Sequence, residues 1–163
     1  MDKIFRTKFL GISSKILLVG GNPPGVIGGS ISAEVISQNV KLPNLPEEKG
    51  INASPVMFHQ NNSIIFCGGL RSYTNKPYKS CLQLTADSWR NHSTLNTERQ
   101  YASSVTTKTT SYIFGGSQST NTYESLEIGS TKWKLGRTPI PGGFKDGCLL
   151  AADLRAFWVL WNW

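Results

Sequence analysis

Three apolar runs end at a glycine doublet, and they recur at nearly constant spacing. "KILLVGG" closes at Gly20-Gly21, "SIIFCGG" at Gly68-Gly69 and "TSYIFGG" at Gly115-Gly116. From Gly21 to Gly69 is 48 residues, and from Gly69 to Gly116 is 47. Two further doublets, Gly28-Gly29 and Gly142-Gly143, lack the apolar approach and fall out of register. A period near 50 residues is the mark of a repeat architecture, in which each unit buries its apolar surface against its neighbours.

Other features keep the same period. A polar loop follows each doublet, and then a short strand-like run: "AEVIS" (33–37), "SCLQL" (80–84) and "ESLEI" (124–128). The second and third of these lead to Trp89 and Trp133. Next come "LPNLPEEKG", "HSTLNTERQ" and "RTPIPGGFK", in which Leu45, Leu95 and Ile140 correspond, as do Glu48-Lys49 and Glu98-Arg99. Each unit then opens a further strand, "ASPVMF", "ASSVTT" or "GCLLAA". The unit reads as four short strands, A to D, with strand B ending at the doublet. Glycine there permits positive φ and close backbone approach. A Trp on strand D offers a large apolar ring to the gap between units.

Composition agrees with strands. Only 17% of residues are charged, Gly, Ser, Thr and Asn are plentiful, and no long run suits a helical bundle. The net charge of +7 is scattered from Lys3 to Arg155. Nucleic-acid binding calls for a basic stripe or patch, so this charge reads as solubility. No apolar stretch reaches the roughly 20 residues of a membrane span. The start, "MDKIFRTKFLGISS", is a poor signal peptide because Arg6, Thr7 and Lys8 interrupt it.

The pattern resembles the kelch repeat, a four-stranded blade of a β-propeller. Gly20-Gly21, Gly68-Gly69, Gly115-Gly116, Trp89 and Trp133 carry the resemblance, over about residues 13–163. The sequence departs from it in two ways. Leu82 and Leu126 stand seven residues before the tryptophans, where the kelch pattern has Tyr, and the first unit has no Trp. The Cys and Ser content is also similar to a divergent group of invertebrate kelch proteins. The expected fold is all-β: an incomplete kelch-type propeller of about three blades plus the start of a fourth. The expected division is an N-terminal segment at 1–12, an incomplete first blade at 13–48 lacking most of strand A, blades at 49–97 and 98–146, and a truncated start at 147–163. There "AFWVLWNW" arrives on period, with Asn162 and Trp163 in place of glycines. Its open edge could pair with another chain.

Strands in a blade alternate in direction, so the B–C and D–A loops open on one face. The B–C loops are long, at about 22–32, 70–79 and 117–122, and long loops on a rigid scaffold carry binding residues. The resemblance implies that this face binds a peptide segment of a partner. The richest loop, "LRSYTNKPYKS", offers Arg71, Tyr73, Lys76, Tyr78 and Lys79, a set that also suits an acidic peptide. The competing reading, which the turn formers Asn75 and Pro77 favour, is a solvated turn. The expected function is therefore non-catalytic protein binding, as the substrate-recognition part of an intracellular adaptor or as a secreted protein.

Chemistry has few footholds. No Gly-Lys-Ser/Thr follows the glycines of "GGNPPGVIGG", so they are not a phosphate loop. No Gly-x-Ser-x-Gly elbow occurs. His59, read as lying in an A–B turn, and His92, on or just beyond a D strand, have no metal-ligand spacing. Some kelch-fold proteins are copper oxidases, and a fragment of one is the competing reading; its site needs convergent Tyr and His ligands. No cofactor or metal is expected.

Cys67 ends strand B of the second unit and Cys81 begins its strand C. Antiparallel pairing across the loop would bring them within disulfide reach, and two buried thiols are the alternative. Cys148 is left over. Asn52, Asn61 and Asn91 each begin an Asn-x-Ser sequon, the first weakened by Pro55. Bridge and sequons point outside the cell, while the leader points to the cytoplasm.

Overall fold

Each apolar run that meets a glycine doublet is the second strand of a four-stranded antiparallel unit. A computed structural model of the chain describes residues 8–12, 15–19, 33–35, 40–41, 43, 51–53, 55–61, 63–71, 77–85, 88–117, 121–137, 148–152 and 155–159. The first unit contains β1 (Lys8–Ile12), β2 (Lys15–Val19), β3 (Ala33–Val35) and β4 (Val40–Lys41), paired in that order. After β5 (Ile51–Ala53), the second unit begins with β6 (Val56–Gln60) and β7 (Ser63–Cys67). β8 (Leu70–Arg71) leaves the unit to pair with β5. β9 (Ser80–Leu84) and β10 (Trp89–Thr94) complete the order β6-β7-β9-β10. The third unit is β11 (Ser103–Thr106), β12 (Thr110–Phe114), β13 (Thr122–Glu127) and β14 (Lys134–Arg137), again in order. A hairpin of β15 (Cys148–Ala152) and β16 (Arg155–Val159) follows. The described residues are all-β.

Two expectations are corrected. The first unit was read as lacking most of strand A, with residues 1–12 outside it. β1 lies within those residues and pairs with β2 along its whole length, from Lys8 opposite Val19 to Ile12 opposite Lys15. Arg6, Thr7 and Lys8 break an apolar leader, but they do not interrupt a strand that starts at Lys8. His59 is also moved. It lies in β6 opposite Ile64, because the A–B turn is only the two residues between Gln60 and Ser63. Asn61, the first of them, has φ 48°, the left-handed conformation that tight hairpins demand and Asn tolerates.

The first strands of successive units pack side by side: β1 against β6, β6 against β11, and β11 against β15. The main core lies between the second and third units. Val56, Phe58, Ile65, Cys67 and Cys81 from one meet Ala102, Ile113, Leu126 and Trp133 from the other, with Leu95 of the connector among them. A smaller cluster of Val105 and Phe114, flanked by Tyr112 and Tyr123, belongs to the third unit. The Tyr123 ring lies over Gly136, where any Cβ would collide with it, which explains a glycine inside β14.

The two tryptophans each make contacts between units. Trp133 meets Phe58 edge-on, with ring centres 5.8 Å apart, and its Nε1–H donates to Ser93 Oγ at 2.9 Å. Trp89 packs against Phe66 and donates from Nε1 to the Pro43 carbonyl at 2.8 Å. Each indole thus reaches the preceding unit. Trp133→Phe removes one partly buried hydrogen bond and part of the ring. We expect a loss of about 1–2 kcal/mol in urea unfolding. A double-mutant cycle with Ser93→Ala should show coupling; strictly additive losses would mean that the bond contributes nothing.

Candidate interaction face

Both described doublets work because backbone from the connector between their two units lies against them. Gly68 and Gly69 have φ of 64° and 97°, and Gly115 and Gly116 of 64° and 101°. A Cβ on Gly68 would collide with the Arg99 carbonyl, and one on Gly116 would sit 2.7 Å from the Gln100 carbonyl. The glycines therefore serve both positive φ and close approach. Gly20 and Gly21 lie outside the described residues.

Hydrogen bonds continue from one loop to the next. Gly69 N–H donates to the Arg99 carbonyl at 2.7 Å, and Tyr78 N–H to the Gly69 carbonyl at 2.9 Å. Arg99 N–H donates back to the Tyr78 carbonyl at 3.3 Å, and Leu95 N–H to the Lys79 carbonyl at 2.8 Å. On the other side Ser117 N–H donates to the Gln100 carbonyl at 3.0 Å. The connector 95–101 is thus fastened to the bases of two consecutive B–C loops. The described ends of loop 70–79 are tied down. Its first residues form β8 on β5, and Leu70, which is buried, bridges Pro77.

What holds the connector is an ion pair that sequence reading missed. Arg99 and Glu124 are fully buried, and Arg99 Nε donates to Glu124 Oε1 at 3.0 Å. Arg99 Nη1 donates to the carbonyls of Gly115 (2.6 Å) and Thr122 (3.3 Å), and Nη2 to Thr122 Oγ1 (2.9 Å). Glu124 also accepts from the backbone N–H groups of Asn96 and Thr97, from Asn96 Nδ2 and from Thr97 Oγ1. Burial pushes the guanidinium below its ordinary value, against the opposing pull of Glu124. Such a pair satisfies many donors at once, as a buried charge requires.

Of the five residues expected to bind a partner, Tyr73 and Lys76 lie outside the described residues. Arg71 is the second residue of β8. Tyr78 is half-buried at the loop base and Lys79 is exposed beside it. The connector adds exposed Asn96 and Glu98, and half-buried Gln100 and Tyr101. Tyr101 has φ 58°, unusual for a bulky residue and the kind of backbone cost that collects at working sites. Gln100 Oε1 is buried with no hydrogen-bond partner among the described residues.

Cys67 and Cys81, directly opposite each other in β7 and β9, are joined by a disulfide with Cα atoms 4.1 Å apart. It closes the root of loop 70–79. Cys148 begins β15. His92 sits at the β10 bulge, its Nδ1 2.9 Å from Ser93 Oγ. Burial pushes its imidazole below the ordinary 6.5. The unfolded chain then binds a proton at a pH where the folded chain does not. Stability should fall as pH drops below about 6.5, towards the depressed folded value. His92→Gln should flatten that part of a thermal-melting pH series; an unchanged slope would assign the acid sensitivity elsewhere. Among the described residues, no three of His, Cys, Asp and Glu come together as metal ligands.

No family model matches the sequence, and no curated protein matches it. A solved structure titled "Structure of YjhT" is similar over 93% of this chain, with a TM-score of 0.74 at 15% identity. This chain spans 57% of that one's length. At that identity the likeness concerns the fold alone.

Proposed function

We propose that the chain is part of a kelch-type β-propeller, with three blades and the start of a fourth, and that its B–C and D–A loop face binds a protein segment without catalysis. The observation that carries this reading is the hydrogen-bonded path from Gly69 and Tyr78 through Arg99 and Gln100 to Ser117. It gives two long loops one fixed base, so a ligand lying across them would meet a preorganised surface. Side-by-side first strands support the radial arrangement of a propeller. Exposed Lys79 and half-buried Tyr78 favour an acidic segment with an apolar or aromatic anchor. The buried disulfide favours the extracellular version of this function over an intracellular adaptor.

Selection of a random peptide library on the purified chain tests it. Enriched peptides should be acidic. Lys79→Glu should weaken them about tenfold, roughly 1.4 kcal/mol. Lys108→Glu, exposed in the A–B turn of the third unit, should leave binding unchanged. Failure to enrich any peptide, or equal loss from Lys108→Glu, would overturn the assignment of this face.

A further inference from the structure

The structure assigns two N-glycosylation sites, Asn61 and Asn91. Both begin Asn-x-Ser sequons with no proline at the middle position, Asn61-Asn62-Ser63 and Asn91-His92-Ser93. A carried glycan must project into solvent from the folded chain. Asn61 is exposed in the β6–β7 turn, in the left-handed conformation of a tight hairpin. Asn91 is exposed on β10, the outermost strand of its unit, where the ladder with β9 is interrupted by a bulge. The sequon at Asn52 differs, because Pro55 follows its Ser54.

The disulfide is the independent observation. Cys67 and Cys81 are bridged and buried, and a structural bridge of this kind forms in an oxidising compartment. A eukaryotic chain that acquires it in the secretory lumen passes the machinery that modifies exposed sequons. In that reaction the Asn side-chain nitrogen, Nδ2, bonds to the anomeric carbon of a polyisoprenyl-pyrophosphate-linked oligosaccharide. The bond from that carbon to the pyrophosphate oxygen breaks, the amide gives up one proton, and polyisoprenyl pyrophosphate leaves. No electrons are exchanged with a redox partner.

Placement gives the glycans a consequence. Neither Asn61 nor Asn91 belongs to the hydrogen-bonded loop base described above. One lies on an A–B turn, at the opposite end of the strands from the B–C loops, and the other on an outer strand. Among the described residues, the outer side of β10 is otherwise bridged only at Thr94–Lys132. A glycan at Asn91 would cover the remaining edge against pairing with another strand, while leaving the loop face open.

The test uses the natural full-length protein from its own cells, with alkylation before reduction. Peptide-N-glycosidase should raise its electrophoretic mobility and convert Asn61 and Asn91 to Asp in peptide mass spectra. Asn61→Gln and Asn91→Gln, returned to the same cells, should each remove one mobility step, and together both; Asn52→Gln should remove none. Recovered peptides with unmodified Asn at either position overturn that site's assignment. Alkylated Cys67 and Cys81 overturn the lumenal premise. Peptide binding by the deglycosylated protein is a separate readout, so failure here leaves the loop-face reading to its own test.

Discussion

Arg99→Met is expected to cost about 3–5 kcal/mol of folding stability, the usual penalty for removing one partner of a buried ion pair. Arg99 and Glu124 are both fully shielded from water. Without the guanidinium, Glu124 is left in the interior with only neutral donors, and the Gly115 carbonyl loses its short contact to Arg99. Glu124→Gln should be similarly damaging. Its amide group must aim N–H donors at either Asn96 or Thr97, which already present N–H donors there. A domain with some 5–15 kcal/mol in total cannot lose this much without a large shift in its urea midpoint. The double variant Arg99→Met/Glu124→Leu should recover part of the loss, since an apolar pair can replace an ionic one. Recovery stays incomplete because the backbone N–H groups of Asn96 and Thr97 are left without their acceptor. A cost below about 1 kcal/mol for either single variant would mean that water reaches the pair.

Removing the Cys67–Cys81 bridge is the second large effect. The cysteines are 14 residues apart in sequence. Closing a loop of that size restricts the unfolded chain by about 3 kcal/mol in the chain-entropy description. Cys67→Ala/Cys81→Ala should therefore lower the melting temperature by roughly 6–12 °C, taking 2–4 °C per kcal/mol for a domain of this size. Reducing agent should do the same to the natural sequence and nothing further to the variant. Equal melting with and without reductant would show that the bridge contributes no stability in solution.

These two devices differ in how legible they were. Cys67 and Cys81 flank one loop, and antiparallel pairing across it leaves little freedom in where they meet, so the sequence narrowed them to bridge or buried thiols. Arg99 and Glu124 offered no such guide. Glu98-Arg99 was recognised only as a marker of register with Glu48-Lys49, because a charged pair in a polar connector ordinarily reads as solvated. Its partner lies 25 residues away on a strand of the next unit. Only the packing of that connector between two glycine doublets takes Arg99 out of water.

The four-strand units were readable from the doublets, because an apolar run, a glycine turn and a Trp together fix strand order. β1 was not, since "KFLGI" sits among charges, fits a leader poorly and was set apart as an N-terminal segment rather than read as a strand. Leu82 and Leu126, standing where the kelch pattern has Tyr, are buried. The apolar demand of those positions is met without a hydroxyl. On the face itself, loop length drew attention to Arg71, Tyr73, Lys76, Tyr78 and Lys79. The connector residues Gln100 and Tyr101 went unnoticed because an acceptor without a partner among the described residues and a left-handed backbone have no sequence signature at Gln and Tyr.

The most direct measurement of the interaction face is photo-crosslinking in the cells that make the protein. A photoreactive residue would replace Lys79 in one version and Lys108 in another, with adducts identified by mass spectrometry. A recurrent protein adduct is expected from position 79 and none from position 108. The same adduct from both positions, or from 108 alone, would contradict the assignment of the B–C and D–A loop face.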